Sequence, residues 1–126
     1  MMSLFKFADR TVCNSENDVF IARVDPAISD TDELLRSLYY LLWFPGYFGL
    51  NWNSLYDCLR DFSWIGENKI IIVHETLPNL PGDELRIYLE VLKDSVLDWR
   101  NDDRHQLEVV FNEKDKKIIE NLLSSC

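Results

Sequence analysis

Residues 44–62 read FPGYFGLNWNSLYDCLRDF, a stretch in which six of nineteen residues are aromatic and Gly46 and Gly49 flank the pair Tyr47-Phe48. Asn53, Asp57 and Asp61 recur every four residues, so a helix beginning near Asn51 or Asn53 carries all three on one face. Tyr56 and Arg60 fall beside them, and Leu55, Cys58 and Leu59 turn to the opposite side. A core explains Leu55 and Leu59. It does not require Tyr47, Phe48 and Tyr56 around a glycine-bounded loop. Tyrosine offers large, rigid contact area at little entropic cost and keeps a polar tip for hydrogen bonding, so rings around an acidic helix face form a chemistry of contact, not of turnover.

The surrounding elements must hold that stretch in place. VFIARV (19–24) reads as a strand closed by Asp25-Pro26. Asp30 is an N-cap with Glu33 three residues on, and Leu34, Leu35, Leu38, Leu41 and Leu42 form the apolar stripe of a helix that stops before Pro45. KIIIVH (69–74) is unbroken enough for a strand covered on both faces. After Pro78, Pro81 and Gly82, the pair Asp83-Glu84 opens a long helix lined by Leu85, Tyr88, Leu89, Leu92, Val96 and Trp99. LEVVF (107–111) supplies the next strand. Residues 116–123 predict a terminal helix with Ile118, Ile119, Leu122 and Leu123 inward. SLFKF (3–7) fits a short edge strand followed by a polar loop over residues 8–18. Strand, helix pair, strand, helix, strand, helix predicts an α/β fold: a small, three-stranded parallel sheet with helices packed against it, in one domain over residues 1–126.

Composition narrows the function classes. Thirteen basic against twenty-two acidic residues give a formal charge of −9, which disfavours direct contact with nucleic acid or anionic lipid. The longest apolar run, LYYLLWF, spans only residues 38–44, too short for a membrane span. Lys6 and Asp9 interrupt the continuous apolar stretch that a secretory signal requires, so a cytoplasmic protein is expected. Cys13, Cys58 and Cys126 are an odd set without a CxxC pair, which indicates neither a disulfide framework nor a zinc cage. No cofactor is expected.

His74, at the carboxyl end of a strand, is where an enzyme reading begins, since ligands of open α/β sheets bind there. No nucleophile elbow, phosphate loop, HExxH or paired-carboxylate motif accompanies it, and a strand-end histidine with a backbone partner is the expectation. Cys58 reads as a packing residue. Trp43, Trp64 and Trp99 read as core or rim fillers, with Trp52 alone placed to join the contact loop.

The run Tyr47-Phe48-Gly49-x-Asn51-x-Asn53-x-Leu55-Tyr56-Asp57-Cys58-Leu59 resembles the loop and helix of the barstar family of intracellular ribonuclease inhibitors, whose usual pattern is PxYYGxNxDALWDCL. The layout agrees from about Val19 to Phe111. The resemblance implies an inhibitor that covers a ribonuclease active site, with Asp57 entering the cationic cleft in place of substrate phosphate and Tyr47 packing on catalytic residues. A ribonuclease must hold cations to stabilise phosphoryl transfer, and a carboxylate fixed on a rigid helix satisfies the same donors. The implied partner-binding set is Tyr47, Phe48, Gly49, Asn51, Asn53, Tyr56, Asp57, Phe62 and Asp94. Within the stripe Glu90, Asp94 and Asp98, Asp94 matches the family's further acidic contact, and the other two read as a solvated helix face.

This chain departs from the family at Asn53, where an aspartate is usual, and at Tyr56, where a tryptophan is usual. With Arg60 one turn beyond Asp57, these departures weaken the electrostatic imitation and point to a partner diverged from barnase. The leading expectation is an immunity protein, monomeric when free, that forms a one-to-one complex with a basic ribonuclease toxin domain. The alternatives are a barstar-like module that regulates a cytoplasmic enzyme, and a small enzyme.

Overall fold

The computed structural model describes residues 4–8, 18–100, 102 and 104–124. Four strands, β1 (Lys6–Ala8), β2 (Val19–Val24), β3 (Lys69–His74) and β4 (Gln106–Asn112), form one parallel sheet in the order β1-β4-β3-β2. The helices are α1 (Thr31–Leu41), α2 (Trp52–Asp61), α3 (Gly82–Trp99) and α4 (Lys116–Ser124). The fold is therefore α/β with a parallel sheet, as expected. It has one strand more than the expected three, because the short edge strand pairs with β4 through Lys6↔Val110 and Phe7↔Phe111. Most of the expected polar loop over residues 8–18 lies outside the described residues, as do Cys13 and Cys126.

Alternation along the strands sorts two faces. Phe20, Ala22 and Val24 of β2, Ile70 and Ile72 of β3, and Leu107, Val109 and Phe111 of β4 meet the buried sides of all four helices in one large core. Ile71, Val73 and Val110 form a smaller cluster on the opposite face. On that face Glu108 bridges three strands, accepting from Lys6 of β1 and pairing with Lys69 of β3 at 3.1 Å. Burial alone would raise the Glu108 carboxyl, but the two lysines outweigh it and hold it below the ordinary range.

Helix starts follow the local chemistry. Asp30 caps α1 by accepting from Glu33 N at 2.7 Å, while Glu33 reaches back to Ser29 N at 2.8 Å. Asn51 caps α2 by accepting from Ser54 N at 2.8 Å, which settles the start of that helix at Trp52. Helix α4 differs from expectation: Ile119 is buried, Leu122 and Leu123 are partly buried, but Ile118 is 49% exposed. Four apolar residues within six positions span more of a helix's circumference than one contact can cover, and α4 docks through Ile119 with Ile118 turned outward.

Candidate functional site

The loop between α1 and α2 begins with an irregular stop. Leu42 N donates to Leu38 O at 2.9 Å and Phe44 N donates to Tyr39 O at 3.1 Å, the six-to-one closure of a Schellman turn with Trp43 in the left-handed position at φ 57°. That position usually belongs to glycine. Here it holds an indole that is 74% exposed. Trp64 donates its Nε1 to Leu42 O at 2.9 Å, which fixes the same turn from the other side.

Beyond Pro45 the chain turns again, with Phe48 N donating to Pro45 O at 3.1 Å. Phe48 goes inward, packed on Phe44 and Tyr39 with ring centroids 4.8 and 5.9 Å apart. Gly49 N donates to Ser54 Oγ at 2.8 Å, and Asn51 Nδ2 returns to Gly49 O at 3.2 Å. A Cβ on Gly49 would sit 3.1 Å from Asn51 Nδ2, a tight contact that would push on the capping side chain where this loop meets the helix start. Gly49, Asn51 and Ser54 thus form a latch that sets where α2 begins. Leu50 lies just before it, left-handed at φ 53°.

Helix α2 buries Leu55, Cys58 and Leu59, and its last carbonyls are gripped from α3, where Trp99 Nε1 donates to Leu59 O at 2.7 Å. The outward side carries Asn53, Asp57 and Arg60, all exposed, with Tyr56 half-buried at its edge. Asp57 is open to solvent, its side chain 62% exposed, and accepts from Arg60 Nη2 at 3.1 Å. Tyr47, 55% exposed, leans over the end of the helix and donates its hydroxyl to Asp61 Oδ2 at 2.7 Å. The bond from Tyr47, with help from Ser63, holds the Asp61 carboxyl below its ordinary range, while burial and the same bond push the Tyr47 hydroxyl up.

Helix α3 completes the face. Tyr56 donates to Asp98 Oδ2 at 2.8 Å, and Arg60 Nε lies 3.7 Å from the same oxygen. Arg60 also lies over the Tyr56 ring, 3.9 Å from its centroid. Partial burial, then the bond to Asp98, raises the Tyr56 hydroxyl, with a smaller contribution from Asp94. Asp94 is exposed on the same helix, and Glu90 pairs instead with Arg86 at 3.2 Å.

Of the expected partner-binding residues, the structure gathers Tyr47, Asn53, Tyr56, Asp57 and Asp94 at one surface formed by the loop, α2 and α3. Gly49 and Asn51 shape its edge. Two assignments are corrected. Phe62 is 0% exposed, takes the left-handed cap position at φ 49° and stacks on Trp99, so it supports α2 from below and offers no contact surface. Phe48 is 9% exposed and does the same for the loop. Trp52 is likewise half-buried, its ring 6.1 Å from Tyr88, and does not join the loop.

Arg60 and Asp61, which spacing places on this face but outside the implied partner-binding set, take part in it, and Asp98 joins them from α3. The period-four stripe Glu90, Asp94, Asp98 already placed Asp98 on the right face of α3, but only the packing of α2 on α3 brings it to Tyr56.

His74 is 2% exposed. Its Nδ1 lies 3.1 Å from Val110 O, which can only accept, so Nδ1 carries the proton and Nε2 accepts from Tyr88 Oη at 2.7 Å. The backbone partner expected of it is present. The enzyme reading loses its starting residue, because this imidazole is sealed away from any substrate. No helix among the described residues is long and apolar enough to cross a membrane.

No curated protein matches the chain. A family model described as barstar (barnase inhibitor) matches residues 19–112, from the first residue of β2 to the last of β4. With three quarters of its length within that match, the chain belongs to the barstar family.

Proposed function

We propose that the chain inhibits a ribonuclease by occluding its active site, with Asp57 standing in for substrate phosphate. The observation that carries this reading is the exposure of Asp57 on a short helix fixed at both ends: by the Asn51 cap and Gly49 latch at its start, and by the Trp99 bond to Leu59 near its end. A carboxylate presented this way meets cations at little entropic cost. Tyr47 and the Tyr56 edge supply apolar area around it. The formal charge of −9 steers a basic partner toward the chain. Membership of the barstar family supports an inhibitor, not an enzyme. The complex is one-to-one and buries about 1,200 to 2,000 Å² in total, the usual size for an inhibitor of this kind.

The test is an RNA-cleavage assay. The purified chain is titrated into barnase-type ribonucleases, and in parallel it is immobilised to capture basic proteins from the lysate of its native cell. Stoichiometric loss of cleavage at one equivalent supports the reading. Capture of a partner that has no nuclease activity favours the interaction-module alternative, and the absence of both capture and inhibition overturns the proposal.

A further inference from the structure

The centre of the face is not purely acidic. Arg60 is held there by the Tyr56 ring beneath it, by Asp57 at 3.1 Å and by Asp98 at 3.7 Å, and its side chain remains 41% exposed. The guanidinium cannot shed its proton, and its planar fork carries five donors. A partner that docks over Asp57 also covers Arg60. Moving Arg60 aside breaks the stack and both ion pairs; leaving it covered with only Asp57 and Asp98 to face strands the rest of its five donors away from water. The partner must therefore bring an acceptor to the middle of an otherwise cationic cleft, and a carboxylate fits the fork best.

Accepting the ribonuclease reading above, we propose that Arg60 is the specificity-determining residue of this face: it reads a carboxylate in the partner's cleft. Cleavage of RNA by its own 2′-hydroxyl needs a general base, and that base is a carboxylate in some ribonucleases and an imidazole in others. A carboxylate base places a negative group among the cations that bind phosphate, giving Arg60 and Asp57 opposite-sign partners side by side. A cleft built from histidine and lysine alone sets a cation against Arg60 and is rejected. Arg60 thus does more than neutralise Asp57 and Asp98 in the free chain.

The two roles differ in sign. As probes we choose a barnase-type ribonuclease whose general base is a carboxylate, and its variant with that carboxylate replaced by the amide. Each is titrated calorimetrically with the wild-type chain, Arg60→Ala, Arg60→Lys and Asp57→Ala. The expected result is that the amide variant binds wild type at least about tenfold more weakly than the intact ribonuclease does, and that this difference shrinks below about threefold in Arg60→Ala. Arg60→Lys, which keeps the charge but not the fork, falls between. Equal losses in wild type and Arg60→Ala, or tighter binding of intact ribonuclease by Arg60→Ala, overturn the assignment while Asp57→Ala still weakens binding. If the wild-type chain binds neither probe, the ribonuclease reading falls and this inference falls with it.

Discussion

Tyr47 and Asp61 are joined across fourteen residues, phenol to carboxylate, at 2.7 Å. The bond ties the tip of the loop to the last turn of α2, so the ring that caps the face is positioned by the same helix that carries Asp57. Tyr47→Phe keeps the ring and removes the tether. Because Tyr47 is exposed and Asp61 only half-buried, stability should fall by less than about 1 kcal/mol in a urea titration, while affinity for the proposed ribonuclease partner falls severalfold through loss of loop order. A stability loss with affinity intact would assign the bond to folding alone.

If Asp57 acts as the proposed decoy, Asp57→Ala should cost about 2 to 5 kcal/mol of partner binding, since it would leave the partner's buried cations without a counter-charge. The fold should not notice: the side chain is 62% exposed, and its bond within the chain is an i,i+3 pair with Arg60. Calorimetric titration and a thermal melt of the same sample separate the two effects. Unchanged affinity would remove the decoy mechanism.

Trp43→Gly should stabilise the protein by about 1 kcal/mol, because glycine adopts the left-handed turn without the steric penalty that a bulky L-residue suffers there. Little packing is lost with an indole that is 74% exposed. Denaturant midpoints decide it, and a lower midpoint for the glycine variant would mean that the indole packs more than its exposure implies.

Phe62→Ala should destabilise by about 3 to 5 kcal/mol, the usual cost of emptying a buried phenylalanine site. Its ring stacks on Trp99 at 6.1 Å and packs at a tilt against Trp64 at 5.7 Å, both of which donate to the backbone that frames the site. Tryptophan fluorescence during unfolding reports both the stability loss and any disturbance of those indoles. A near-neutral result would contradict its core assignment.

Acid should weaken the fold through His74. Burial, only partly offset by the bond to Val110 O, lowers its pKa from 6.5 to about 4. Above pH 6.5 the imidazole is neutral in both folded and unfolded chains and costs nothing. As pH falls from about 6.5 toward about 4 the unfolded chain takes up a proton that the folded chain refuses, and up to about 3 kcal/mol of stability is lost. Urea melts across that window should show the slope, and His74→Gln should flatten it even if its stability at neutral pH is lower. Carboxylates such as Glu108 add acid sensitivity at lower pH, with the same sign.

Much of this architecture was legible in the residues. The strands expected at 19–24 and 69–74 form over those residues, the first closed by Asp25-Pro26, and Asp30 caps α1 as its side-chain chemistry requires; of the two starts open for α2, the cap at Asn51 decides. The acidic face of α2 followed from period-four spacing alone. What spacing could not convey was depth. Phe48 and Phe62 lie in the same aromatic-rich stretch as Tyr47 and Tyr56, but they lack a hydroxyl, and with no polar tip to leave in water Phe48 sinks beneath the loop and Phe62 beneath α2. Nor could it convey the meeting of α2 with α3, because the bond from Tyr56 to Asp98 joins residues 42 apart and depends on a helix crossing that no local pattern records. Ile118 shows the same limit in reverse, an apolar residue inside a helical pattern that its neighbour leaves outside.

The two indole clamps, Trp64 on Leu42 and Trp99 on Leu59, both seize main-chain oxygens. A grip on the backbone is indifferent to which side chains a helix wears. Asn53, Tyr56, Asp57 and Arg60 can therefore be exchanged as a set while the frame stays put, which leaves the face free to change what it recognises without rebuilding the scaffold beneath it.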